Sequence, residues 1–340
     1  MPAVSVVVPM YNAEPYIGEC LSSLLRQTLE SIEVICVNDG STDNTLEVAR
    51  QIVEEDERFS FVSQDNKGLS ASRNAGIIRA KGEYVLFLDA DDYLEPHALE
   101  RLFTQASSKA LDVLFFSART IYEGVLMRGV YRDEYTARKN IDGVMSGQQL
   151  LMQFQSKESF SASAAMQLLR RDFLDETGIR FYEGILQEDN LFTCLTLAYA
   201  KRAAYLNEPL YVRRVHADSI MTSKKTIRHV YGHFKCAYEL ERWLVAHVDS
   251  CEPGFFEALL AHVSVCYTYA ARESWELSPG ELLERANCLP AEERLRFIVD
   301  VIGNARSLGE IKSEYADSTT FRVGSAIMKL PCWVKENLKR

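Results

Sequence analysis

Three carboxylates crowd the end of a short apolar run in Glu83-Tyr-Val-Leu-Phe-Leu-Asp89-Ala-Asp91-Asp92. Tyr84 to Leu88 is brief, unbroken and aromatic or branched, the pattern of a strand buried on both faces. Acidic groups just past such a strand repel one another and lose hydration, a cost that normally excludes them. A divalent cation removes that cost, because hard carboxylate oxygens suit Mg²⁺ and Mn²⁺. The bland alternative is a solvated loop that happens to be acidic. Asp-x-Asp occurs once in the chain, at the mouth of its best buried strand, and this placement favours the metal.

Other polar groups are aimed at the same edge. Ligands of open α/β sheets bind beyond the carboxyl ends of the strands. The first apolar run, Ser5-Val-Val-Val-Pro9, leads into Met10-Tyr11-Asn12. The second, Glu33 to Asn38, leads into Asp39-Gly40-Ser41-Thr42-Asp43. A third, Phe59 to Ser63, leads to Asn66-Lys67-Gly68 and then Ser72-Arg73-Asn74. An acid at the tip of a second strand can accept from ribose or a base, and Gly40 permits close backbone approach. Asp39 and Asp43 serve equally well as helix caps. Neither a Gly-x-x-x-x-Gly-Lys-Ser/Thr loop nor a Gly-x-Gly-x-x-Gly turn is present, so charge on a diphosphate must be met elsewhere, with the metal as the obvious supplier.

These residues need a scaffold, and the first third of the chain provides alternating strand and helix patterns. Helices are expected from Pro15, over the Leu46–Val53 stripe, over Ser70–Ala80 and over Pro96–Ala106, with a further strand at Leu111–Phe116. This order predicts an α/β fold with a mainly parallel sheet and helices on both faces. Residues 122–163 carry no firm pattern. After about Thr222 the chain reads as amphipathic helices at Tyr231–Val248, Phe255–Glu273, Pro279–Ala286 and Ala291–Ile302. The expected division is a domain over 1–222 (nucleotide side 1–118, acceptor side 119–222) and a helical C-terminal region over 223–340.

Composition narrows the partners. The chain has 340 residues, 47% hydrophobic and 25% charged, with a formal charge of −10, which argues against nucleic acid. Eight cysteines without Cys-x-x-Cys pairs read as reduced thiols in the cytoplasm. The N-terminus lacks a basic region and enters a strand by Val4, so no signal peptide is expected, and no apolar stretch reaches the ~20 residues of a spanning helix. The tail Met328–Arg340 mixes Trp333, Val334 and Leu338 with Lys329, Lys335, Lys339 and Arg340. Such a segment either packs on its own domain or lies on the inner face of an anionic membrane.

Together, Val-Val-Val-Pro9-Met-Tyr11-Asn12, Val37-Asn-Asp39-Gly-Ser-Thr-Asp43, Asn66-Lys-Gly68-Leu-Ser-Ala-Ser-Arg73-Asn74 and Phe87-Leu-Asp89-Ala90-Asp91-Asp92 closely resemble the family-2 inverting glycosyltransferases of bacterial surface-polysaccharide type. The likeness resumes at Phe181–Asn190 and Tyr211–Ser219. It implies the GT-A nucleotide-diphospho-sugar transferase fold and a UDP-sugar donor. It implies nucleotide binding by Pro9, Tyr11, Asn12, Asp39 (to uracil), Asn66, Gly68, Arg73, Asp89 (toward ribose), Ala90 and Arg214 (to diphosphate). Asp91 resembles the direct ligand of Mn²⁺ or Mg²⁺, with His216 completing the shell. Glu188 and Asp189 resemble the acceptor-side pair, Asp189 being the general base toward a glycan or lipid-linked acceptor. On the residues alone, Glu188 and Asp189 equally read as caps of a helix starting at Asn190, and His216 as an ordinary hydrogen-bonded histidine.

One stretch departs from the pattern. Where many polymer-extending relatives carry aromatic–Asn–Lys before Arg170-Arg-Asp-Phe-Leu174, this chain reads Ala164-Ala-Met-Gln-Leu-Leu169, so acceptor contacts are not carried over. Two rival functions compete with the transferase. A sugar nucleotidyltransferase would need a glycine-rich basic loop after the first strand, which Met10-Tyr-Asn-Ala-Glu-Pro15 is not. A non-catalytic UDP-sugar-binding protein has no residue in its favour.

Overall fold

A computed structural model describes residues 1–123, 138–216 and 224–303. The residues beyond His216 in the Tyr211–Ser219 stretch, and the basic tail at 328–340, lie outside the described residues.

Strands and helices alternate as β1 (Val4–Met10), α1 (Ile17–Leu25), β2 (Ile32–Asn38), α2 (Thr45–Ile52), β3 (Phe59–Ser63), α3 (Leu69–Arg79) and β4 (Tyr84–Phe87). Next come β5 (Tyr93–Leu94), α4 (Ala98–Ser108), β6 (Val113–Tyr122), α5 (Gly147–Ser156), β7 (Gln167–Arg170), α6 (Arg171–Thr177), α7 (Glu188–Tyr199) and β8 (Ala203–Val215). The remaining α-helices among the described residues are α8 (Ile227–His247), α9 (Phe255–Glu273), α10 (Pro279–Asn287) and α11 (Ala291–Phe297).

The strands form one mixed, mostly parallel sheet in the order β3-β2-β1-β4-β7-β6-β8-β5. β1 pairs in parallel with β2 and β4, and β2 with β3. β7 then enters antiparallel between β4 and β6, while β6 and β8 pair in parallel. The sheet therefore continues past β4 through an inserted strand that comes from the very stretch departing from the family pattern.

β1 is buried along its whole length, which explains why it reads as a run rather than an alternation. Val4, Val6, Val8 and Met10 join a core with Ile17, Leu21 and Leu24 of α1. Val7 faces the other way, onto α3. A Cβ at Gly76 would stand 2.2 Å from Val7 Cγ1, so only glycine lets α3 lie this close to the sheet. Helices thus cover both faces, and all four strands of the parallel half end at one edge.

By its internal contacts the chain divides into two compact units, Met1–Lys224 with Glu239–Leu260, and Lys225–Tyr238 with the residues from Ala261. The second has its own core of Val230, Phe234, Ala270, Leu282, Phe297 and Val301. A buried pair, Lys235 Nζ to Glu293 Oε2 at 2.9 Å, is completed by the Tyr231 hydroxyl donating to Glu293. Among the described residues no helix is long and apolar enough to cross a membrane.

Candidate active site

At the ends of β1, β2 and β3 the loops are stitched by neutral and carboxylate hydrogen bonds. Asn12 takes a left-handed φ of 45°, and its side-chain oxygen accepts from Thr42 N at 2.8 Å. Asp43 accepts from Thr45 N at 3.0 Å and from Glu14 N at 3.2 Å, so it opens α2 and ties the first loop to the second. Asp39 is almost wholly buried. Its carboxylate accepts from Gln64 Nε2 (2.7 Å), Lys67 N (2.9 Å) and Gly68 N (2.7 Å). A Cβ at Gly40 would lie 2.9 Å from Asn66 N, so the third loop can close on the second only past a glycine, here at φ 71°. Tyr11, Asn12, Asn66 and Lys67 are left facing solvent at this rim, while Pro9 is buried in β1.

The three acids after β4 each meet a different partner. Asp92 is buried, accepting from the Tyr211 hydroxyl and from Arg214 N, both at 2.7 Å. Burial, and then its acidic neighbours, push its carboxyl well above the usual range. Asp89 accepts from Arg73 Nη2 at 2.8 Å. Asp91 stands 3.1 Å from His216 Nε2. Among the described residues no three His, Cys, Asp or Glu side chains gather as a metal cage. Hydrogen-bond donors meet Asp92, the guanidinium of Arg73 meets Asp89, and the His216 imidazole meets Asp91.

Arg73 lies under the carboxylates. Its side chain is 1% exposed, with Nη1 donating to Glu188 Oε1 (2.8 Å) and Asp189 Oδ1 (2.9 Å). Its guanidinium carbon lies 5.1 Å from the centroid of the Phe181 ring. Burial works against the guanidinium charge, but Asp89, Asp189 and Glu188 hold it fully protonated. One cation thus joins the end of β4 to the first turn of α7. Glu188 is buried and its carboxyl is pushed up to about 7, by lost hydration first and by Asp189 next, with Arg73 pulling the other way. Asp189 keeps 29% of its side chain open. The N-cap of α7, Gln187, carries no side-chain cap bond; Glu188 and Asp189 stand in the first turn, and both side chains turn to Arg73. Asn74 fixes the approach to α7 by exchanging hydrogen bonds with Phe181 N and O, each 2.9 Å.

The far wall comes from β8. Arg214 donates from Nε to the Asp91 carbonyl at 3.0 Å, and from its two Nη atoms to Glu123 and Glu19. Tyr16 packs on the His216 ring with centroids 4.5 Å apart. Ala90 is buried beneath this corner. Tyr16, Glu19 and Glu123 escape sequence reading, since none lies in a motif. The pairing of Arg73 did leave a sign: it falls on the buried face of α3 with Ile77 four residues on, and a buried arginine demands acidic partners.

A model of the family described as "Glycosyl transferase family 2" matches residues 5–178. The uncharacterized glycosyltransferase EpsJ of Bacillus subtilis (strain 168) is 33% identical over 229 residues, 65% of this chain and 63% of that protein. The chain therefore spans less than two thirds of EpsJ. Among solved structures, S. aureus TarS 1-349 in complex with UDP-GlcNAc aligns with a TM-score of 0.68 at 22% identity, covering 92% of each chain. The mannosyltransferase PcManGT from Pyrobaculum calidifontis, in complex with GDP-Man and Mn²⁺, aligns with a TM-score of 0.51 at 17% identity, over 92% of this chain and 88% of that one. The fold is that of these GT-A transferases, and with just over half its residues matched by the family model the chain belongs to glycosyl transferase family 2.

Proposed function

We propose that the protein transfers a sugar from a UDP-sugar to a hydroxyl of a glycan or lipid-linked acceptor, with inversion. The observation that carries this reading is the Arg73 bridge. It holds a partly open carboxylate, Asp189, across from the strand end where a nucleotide's ribose and diphosphate would lie. A sugar hydroxyl attacking an anomeric carbon must lose its proton, and Asp189 is the exposed member of the pair that can take it. Attack from the face opposite the leaving diphosphate inverts the centre in one step, with no covalent intermediate. Glu188, buried and tied to Arg73, orients rather than accepts.

On the donor side, Asp39 holds the Lys67–Gly68 backbone and with Tyr11, Asn12 and Asn66 forms a rim that fits a pyrimidine. The 3.1 Å separation of Asp91 Oδ2 and His216 Nε2 fits two adjacent ligands of a divalent ion with bonds of about 2.1 Å. One oxygen and one imidazole nitrogen suit Mn²⁺ or Mg²⁺ sharing its remaining positions with diphosphate and water. When bound, such an ion would offset charge gathering on the departing diphosphate. Arg214, anchored beside Asp91, supplies a second positive group there. The scattered spacing of the cysteines, without Cys-x-x-Cys pairs, supports a reducing compartment such as the cytoplasm. The catalytic domain in this reading is 1–222, followed by the helical region 223–340.

The decisive experiment pairs two variants with a UDP-release assay, run with and without acceptor. Asp189→Asn is expected to lower transfer by about 10²- to 10⁴-fold while leaving UDP affinity in calorimetry unchanged. Asp91→Ala is expected to abolish Mn²⁺-dependent turnover. Full transfer by Asp189→Asn refutes the base assignment, and thermal stabilisation of the wild type by GDP but not UDP refutes the donor.

A further inference from the structure

Arg214 has every guanidinium nitrogen engaged. Nε donates to the Asp91 carbonyl, Nη1 to Glu123 and Nη2 to Glu19. The group also lies 5.2 Å from the Tyr16 ring centroid and 5.9 Å from that of Tyr93. Nε and the two rings fix the arginine beside Asp91. The Nη edge, which is the fork that recognises phosphate, is taken by the two glutamates.

These glutamates differ from the other acids of the site. Glu19 stands in the first turn of α1 and Glu123 directly after β6, where its N–H donates to the Val215 carbonyl. Their side chains are 52% and 41% exposed, whereas that of Arg214 is only 10% exposed. An exposed carboxylate released from an ion pair is rehydrated at little cost, and such pairs contribute little to stability. A doubly charged diphosphate offers the same guanidinium more charge and a matching geometry. Exchange of glutamate for phosphate at the Nη edge therefore needs no movement of the Arg214 backbone, which Asp92 fixes through Arg214 N.

We propose that Glu19 and Glu123 form a carboxylate latch on Arg214 that the donor's diphosphate must displace, so that these two positioning residues set donor affinity. The inference rests on the donor reading given above. It makes the occupied arginine a competitor built into the fold: the latch keeps the fork aligned, and weakens binding by the free energy of the pairs exchanged.

The test is calorimetric titration of UDP in Mn²⁺ into the full chain, the Glu19→Gln/Glu123→Gln variant, Arg214→Ala, and the triple variant. The double glutamine variant is expected to bind UDP roughly three- to tenfold more tightly, the range for two exposed ion pairs. In the Arg214→Ala background the same two changes are expected to leave affinity unmoved. A gain that persists without Arg214 is a general charge effect and overturns the latch, as does unchanged or weaker binding by the double variant. Wild-type protein that binds no UDP defeats the donor reading and the latch with it, whereas wild-type binding with unaltered variant affinity defeats the latch alone.

Discussion

The two sides of the sheet edge are built by different physics. On the side of β1, β2 and β3, backbone N–H groups meet short side chains, and Asp39 and Asp43 each satisfy several donors close in sequence or on adjacent strands. On the side of β4 and α7, one guanidinium balances three carboxylates that come from positions 89, 188 and 189. The first side is a set of neutralised loops whose geometry is fixed locally. The second is a charge cluster that exists only when distant segments have folded together, and its protonation is open to pH.

The strongest way to break this contrast is Arg73→Met. It strands buried acids without their cation, and should cost about 3–5 kcal/mol in urea unfolding at pH 8. Unfolding at pH 5.5 should recover part of that loss, because Glu188 and Asp89 can then take up protons. A variant as stable as wild type at pH 8 would show that the carboxylates do not depend on Arg73.

A gentler probe uses Glu188, whose carboxyl lies at about 7 in the fold against 4.5 as its ordinary value. The raised value means the fold binds the proton more tightly than the unfolded chain. Its contribution to stability is therefore complete below 4.5 and is lost as pH rises through 7. By that linkage the loss is on the order of 3 kcal/mol. Glu188→Gln should flatten the fall in melting temperature between pH 5 and pH 7.5; an unchanged profile would place the titration elsewhere.

Asp39→Asn sharpens the other side. An amide oxygen in the place of Oδ1 keeps two of the three accepted bonds but turns an N–H₂ toward Gly68 N, so stability should drop by about 1–3 kcal/mol. Urea titrations of wild type and variant at pH 7 decide it.

The same contrast explains how much could be read without a structure. β1 to β4 and α1 to α3 announce themselves through apolar runs and helical stripes, because those patterns answer to burial on one or two faces. The chemistry-bearing loops lie at the strand ends and are legible with them. β7 was not legible: Gln167–Arg170 is four residues long, and its placement between β4 and β6 depends on ladder partners far away in sequence. The partners of Arg73 were hidden for the same reason, being 115 and 116 residues distant. The run Asp89–Asp92 lies in the turn after β4, and the partners of its acids, Arg73, His216, Tyr211 and Arg214, come from other segments that one dimension does not show.

The antiparallel insertion of β7 also bears on how such enzymes could diversify. The parallel half, β1 to β4, meets the remainder of the sheet along a single short ladder in which Tyr84, Val85 and Leu86 oppose Arg170, Leu169 and Leu168. Side-chain bonds cross the same seam, from Arg73 to Glu188 and Asp189, from Asn74 to Phe181 and from Asp92 to Tyr211 and Arg214. A chimaera that keeps this chain through Leu94 and borrows its later segments from a relative must re-form the ladder, supply partners for Arg73, Asn74 and Asp92, and return a strand to β5. Recombination at this seam would exchange the later strands together with the partners of Arg73, while the Asp39 and Asp43 loops stay as they are.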